Sequence, residues 1–287
     1  MSQKMGREGG LLLLSCLLFC CSDVFIKLLT QEMPLGEFMV LRALTCIVFF
    51  LAVMPRTERS GVLRHAGNRF VLMRSLFEAV SVTCFILALQ ALPTATVSSI
   101  YMTGPVFTVC VAAALGMTRL SWRLVISVAI AFAGVLLVAL PREAGLTEAV
   151  ALAFVSALLV AGRDLVTRGM PAGIPSMTVA LVTMVGVGLA GALLGPWGAP
   201  WMVIGPGVAG MLMLGAMFTA GGNYLIIVAY RTGDPGLMSV LRYASIPMAM
   251  VVGGIVFGHV PYPLQFLGAG MVILGGSIAM GRGRSGS

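Results

Sequence analysis

Apolar runs of about 20 residues recur along almost the whole chain with short breaks between them, and a helix needs about that length to cross the hydrocarbon layer of a bilayer. The runs cover 11–29, 36–54, 70–90, 94–115, 122–140, 147–167, 176–194, 204–229, 235–257 and 262–280. They predict an all-α membrane protein of ten transmembrane helices. Because the runs are continuous rather than alternating, they exclude a β-barrel. Hydrophobic residues make up 59% of the 287 and charged residues 10%, against about 45–50% and about 25% in a soluble domain. No room is left for a soluble catalytic domain. Lys4 and Arg7 precede the first run as they would in a signal peptide, but the run continues into Asp23 and Lys27 with no small-residue cleavage site, so it reads as helix one.

The formal charge of +8 is a signal of topology rather than of nucleic-acid binding. On the ten-span reading Lys4, Arg7, Arg56, Arg59, Arg64, Arg69, Arg74, Arg119, Arg123, Arg168, Arg231, Arg282 and Arg284 fall on one side. The opposite loops carry Arg142 beside Glu32, Glu37, Glu143 and Glu148. Positive residues stay inside, which places both termini of this inner-membrane protein in the cytoplasm. Cys16, Cys20, Cys21, Cys46, Cys84 and Cys110 all lie within spans of the first half and read as small buried hydrophobes. His65 and His259 fall in loops on opposite sides, and there is no GxxxxGK[ST] loop. Metal, cofactor, nucleic acid and enzymatic activity are therefore not expected.

Aligned with itself, the chain shows two related halves. At an offset of 141, Ser15, Asp23, Lys27 and Pro34 meet Ser156, Asp164, Arg168 and Pro175; at 142, Pro93, Tyr101, Pro105, Gly116 and Gly134 meet Pro235, Tyr243, Pro247, Gly258 and Gly276. The repeats run over 11–140 and 147–280. Five spans is an odd number, so the second repeat is inverted relative to the first, a construction that places a transporter's substrate site near the midplane between halves. Pro93 and Pro235 stand at helix starts. Pro105 and Pro247 lie inside spans four and nine, where proline bends a helix, either as an ordinary kink or as a shared gate. Ala112 with Gly116, and Gly254 with Gly258, form small-residue faces suited to close packing within one chain; the chain is expected to be a monomer or a weak homodimer.

Ionisable groups inside spans are expensive and point to function, usually with a partner. Asp23 with Lys27, and Asp164 with Arg168, are i,i+4 pairs near span ends and read as anchors or gate contacts. Glu78 lies one turn after Arg74, which is expected to reach back to the cytoplasmic interface. Arg42 and Arg242 lack an obvious partner acid on their own helices; each either holds a substrate carboxylate, pairs with Glu78, or meets carbonyls freed at a proline. Asn223, Tyr101, Tyr224 and Tyr243 offer hydrogen bonds and flat surfaces to a small ligand, Tyr101 and Tyr243 standing one turn before the paired prolines.

Ten spans, two inverted halves, the stretch KLLTQEMPLGEFMVLRA at 27–43, TGP at 103–105 and ASIP at 244–247 together resemble the drug/metabolite transporter superfamily, and within it the bacterial EamA-type carriers. The chain is also similar to the aromatic amino-acid exporters of the YddG type. The resemblance implies two inverted five-helix repeats around a central cavity, with spans five and ten at the periphery and Tyr101 and Tyr243 near the cavity. It implies alternating-access export of an amino acid or similar small amphiphile, in contact only with that solute and membrane lipid. Other metabolites or drugs, or a non-transporting scaffold, are the alternatives. No acid lies between Leu11 and Ser22, which departs from the two-carboxylate proton exchange of short multidrug relatives.

Overall fold

A computed structural model describes residues 2–30, 33–59, 61–91, 97, 100–139, 148–195, 201, 204–257 and 263–280. Its secondary structure over these residues is helical, in thirteen elements. They are α1 (Ser2–Leu29), α2 (Leu35–Val53), α3 (Arg56–Arg59), α4 (Val62–Ala66), α5 (Arg69–Ala91), α6 (Gly104–Ala114), α7 (Trp122–Ala139), α8 (Glu148–Arg168), α9 (Ser176–Leu194), α10 (Pro206–Thr232), α11 (Pro235–Arg242), α12 (Ser245–Phe257) and α13 (Pro263–Met280). Among the described residues seven helices are long and apolar enough to cross a membrane, α11 and α12 counting together as one. Shorter apolar helices, Gly104–Ala114, Trp122–Leu137 and Phe266–Ile278, stand where the fourth, fifth and tenth spans are expected. Glu32, Pro93, Arg142, Glu143, Gly258, His259, Arg282, Arg284 and the side chain of Lys4 lie outside the described residues.

The outer surface is far more apolar than that of a water-soluble bundle, and polar and charged side chains are buried within a mostly apolar interior. Val48, Leu189, Leu193, Ile255 and Ile273 face outward, the last four on α9, α12 and α13, while Ser15, Arg74, Ser156, Asp164 and Thr183 are buried. Exposed apolar area on this scale marks a surface made for something other than water, and the backbone bonds of helices are satisfied within each element, as hydrocarbon demands.

Close approach is organised by pairs. α1 packs along α10, α5 along α8, α2 along α9, and α7 along α13. Several of these contacts recur at a displacement of 141 residues. The Ser15 hydroxyl donates to the Gly222 carbonyl at 2.7 Å, and the Ser156 hydroxyl donates to the Ser81 carbonyl at 2.9 Å. Where α7 crosses α13, a Cβ on Gly134 would stand 2.5 Å from the Gly268 carbonyl oxygen; a Cβ on Gly275 would stand 2.7 Å from that of Ser127. Glycine permits both backbone approaches. The structural counterpart of Gly134 is thus Gly275, one residue before the Gly276 expected from the sequence.

Two expectations about the fourth and ninth spans are corrected. Neither Pro105 nor Pro247 lies in mid-helix. The chain turns at Met102–Thr103 and α6 begins at Gly104 with Pro105 in its first turn; α11 ends at Arg242, the chain turns at Tyr243–Ala244, and Pro247 sits in the first turn of α12. A proline there sacrifices no helical hydrogen bond. Gly116 is no packing face either: it ends α6 at φ +68 with nothing near its Cβ position, while Met117 N–H donates back to the Ala112 carbonyl at 2.8 Å. This left-handed C-terminal cap favours glycine. Thr118, just beyond it, donates to the Asp234 carboxylate at 3.0 Å, and Asp234 caps α11 by accepting from Leu237 N–H at 2.9 Å. The end of α6 and the start of α11 are fastened together by one side chain.

Candidate functional site

Where α5, α8 and α11 meet, the interior is filled by charge. Arg163 of α8 donates to Glu78 of α5 and, through Nε at 2.8 Å, to its neighbour Asp164. Asp164 accepts from Arg242 of α11 at 2.7 Å through its other oxygen. Arg163, Asp164 and Glu78 are 4%, 2% and 8% exposed, so these groups satisfy one another rather than water. Arg242 also donates from a guanidinium nitrogen to the Tyr101 hydroxyl at 3.4 Å and lies near the ring, which meets the Phe85 ring edge-on with centroids 5.1 Å apart.

One turn from Glu78, Arg74 is buried at 1% exposure and does not reach an interface. It donates through Nε to Thr167 of α8 at 3.0 Å, through one terminal nitrogen to Thr183 of α9, and through the other to Asn223 of α10 at 3.4 Å. Thr167 and Thr183 donate their own hydroxyl protons to the carbonyls of Arg163 and Val179 one turn back, both at 2.7 Å, which leaves their oxygens free to accept from Arg74. Its charged neighbours are Arg163, Glu78 and Asp164.

The structure therefore brings together Glu78, Asp164, Arg242, Tyr101 and Asn223 of the expected residues, and adds Arg74, Arg163, Thr167 and Thr183. The sequence expectation paired Asp164 with Arg168; instead Asp164 turns to Arg163 and Arg242, while Arg168 donates to the Arg231 carbonyl at 2.8 Å. Arg231 in turn holds the carbonyls of Pro171, Ala172 and Ile174, so this pair of arginines secures the connection from α8 to α9. The acid nearest Arg163 was its next neighbour, which helical spacing alone does not single out, since adjacent residues point away from each other on a helix.

The other expected residues stand apart. Asp23 is exposed on α1, near Arg42 of α2, and Lys27 is exposed one turn on. Arg42 stacks over the Phe38 ring at 5.2 Å, and its buried Nε has no hydrogen-bond partner among the described residues. Tyr224 packs against the main core; Tyr243 is fully buried and its hydroxyl has no hydrogen-bond partner among the described residues. Cys16, Cys20, Cys46 and Cys84 are buried free thiols, as expected, whereas Cys110 is exposed on α6. A groove of about 550 Å³ between α5 and α9 is lined almost wholly by apolar side chains such as Leu72, Leu76, Leu189 and Leu193 and opens outward.

The long apolar helices, the apolar exterior and the charged cluster buried between helices define a multi-pass helical membrane protein. Residues 9–140 match the EamA-like transporter family. A riboflavin transporter of Rhizobium johnstonii (strain DSM 114642 / LMG 32736 / 3841) is 24% identical over 233 residues, covering 79% of this chain and 74% of the relative. A solved crystal structure shares the fold at a TM-score of 0.81, over 97% of this chain and 98% of that one, at 16% identity. Together with the transporter relative, the family match points to a transporter of small solutes rather than an enzyme.

Proposed function

We propose that the chain is a secondary carrier that moves a small amphiphile with an aromatic body across the bacterial inner membrane by alternating access between two inverted five-helix halves, 11–140 and 147–280. The observation that carries the reading is the buried cluster of Arg163, Glu78, Asp164 and Arg242, which spends ionisable groups between helices long and apolar enough to span a bilayer. Such groups are costly there and line solute paths. The matched contacts at a displacement of 141, and the matched helix breaks before Pro105 and Pro247, support the paired halves and a common gate at the two breaks. Ten spans follow if the three shorter apolar helices also cross.

Tyr101 and Phe85 beside Arg242 offer an aromatic surface next to a charge, which suits aromatic and other hydrophobic amino acids. The riboflavin transporter relative favours a second solute with a flat ring system. Counterflow of labelled phenylalanine, tryptophan and riboflavin into proteoliposomes holding the full chain tests both. Saturable exchange of at least one supports the carrier; no exchange across a wider panel of metabolites overturns it.

A further inference from the structure

We infer that Arg74 is the seat for one negatively charged group of the ligand, a carboxylate or comparable oxyanion. The inference rests on the transport reading above and names the chemical class of solute.

The charges of the cluster do not balance. Arg74, Arg163 and Arg242 face Glu78 and Asp164, leaving one positive charge in excess. Arg163 is held by both acids and Arg242 by Asp164, so the surplus falls on Arg74, whose three hydrogen-bond partners are the neutral oxygens of Thr167, Thr183 and Asn223. A buried cation whose hydrogen bonds all go to neutral oxygens gains when it meets an anion directly. Hydrogen bonds to a charged acceptor are about twice as strong as neutral ones, and a guanidinium offers a carboxylate two at once. Neutral oxygens are the partners an incoming anion displaces at least expense.

A comparison within the molecule shows that packing does not require these charges. The contact related to Arg163–Glu78 by the displacement of 141 is Ser22–Thr219, between α1 and α10, where two hydroxyls meet at 2.6 Å. The residue at the same displacement from Arg74 is Gly215, whose carbonyl accepts from Ser22. Two hydroxyls make the contact in one copy; in the other it is an ion pair within a cluster of five charged groups with an excess of one. Arg74 also joins α5 to α8, α9 and α10, so an anion seated on it touches both halves of the chain and loosens their shared hydrogen bonds.

The test uses the purified full chain in detergent, with 3-phenylpropionate and its uncharged analogue 3-phenylpropanol as probes of thermal unfolding. The acid is expected to raise the Tm of the wild-type protein and the alcohol to leave it unchanged. Arg74→Gln is expected to weaken the acid's effect at least tenfold, and Arg74→Lys, which keeps the charge but loses the fork, to weaken it several-fold. Equal effects of acid and alcohol, or an acid effect that survives Arg74→Gln, overturn the inference. If Arg74→Gln does not fold, Arg74→Lys decides: an unchanged acid effect overturns it. Flux separates this from the carrier reading. Counterflow of phenylalanine indifferent to Arg74→Lys sinks the anion seat and leaves the carrier, whereas acid binding with no exchange of any solute sinks the carrier and leaves the seat.

Discussion

Arg163 and Glu78 meet in the interior with 5% and 11% of their side-chain surfaces exposed, although they lie on helices from opposite halves of the chain. Their partnership joins α5 to α8 along a contact that also holds the Ser81–Ser156 hydroxyl pair and the hydrogen bond from Arg74 to Thr167. Removing one member leaves the other charged in a place water does not reach.

Glu78→Gln is accordingly expected to destabilise the protein by about 3–5 kcal/mol, the cost of breaking a buried pair from one side. The double variant Glu78→Gln with Arg163→Gln is expected to lose less than the sum of the two single changes, because the groups share one network. Thermal unfolding of the four proteins in the same detergent measures the coupling. Additive losses would mean that the pair does not act as a unit.

Asp164 and Asp23 occupy matched positions in the sequence but not matched surroundings. Asp164 receives Arg163 and Arg242, whereas Asp23 is exposed beside Arg42. Asp164→Asn is expected to lower counterflow at least about tenfold, equivalent to about 1.4 kcal/mol in the barrier, and Asp23→Asn to change it far less. Rates measured side by side in proteoliposomes decide this, and equal losses would return the two acids to equivalent roles.

Gly134→Ala is expected to cost about 1–3 kcal/mol through overpacking, since its new methyl meets the Gly268 carbonyl oxygen at 2.5 Å and the Met271 Cβ at 2.9 Å. Gly270→Ala, with nothing within 4 Å, serves as the control and is expected to leave the Tm unchanged. Similar unfolding temperatures for both variants would show that α7 and α13 separate freely.

Pro105→Ala and Pro247→Ala are expected to slow exchange while leaving unfolding nearly unaltered. Each proline stands in the first turn of a helical segment just after a turn, so alanine supplies the missing backbone N–H and permits the two segments to fuse. Unchanged exchange in both variants would reduce the turns to passive features of the backbone.

Much of the frame is legible in the sequence because hydrocarbon imposes a length and a polarity on every spanning helix. The positions of α2, α9 and α10 are read to within a few residues for that reason. The centre is harder to read. Arg74 looks like an interfacial residue by its place near the start of a span, and only the arrival of Thr167, Thr183 and Asn223 from three other helices makes burial tolerable. Arg163 was hidden by the regularity of the helix: i,i+4 spacing draws attention to Arg168, while the true partners of Asp164 are an adjacent residue and Arg242 from a distant segment. The role of Gly116 was equally local, a backbone torsion that composition does not reveal.

The crossing of α7 and α13 has a mechanical consequence. Two glycines bring carbonyl oxygens of each helix against the backbone of the other, so this pair has almost no clearance for sliding. One helix closes the segment 9–140 and the other ends the described chain. The crossing is therefore a fulcrum: if the bundle parts, it parts like a pair of tongs, with the widest travel at the side farthest from Gly134 and Gly275.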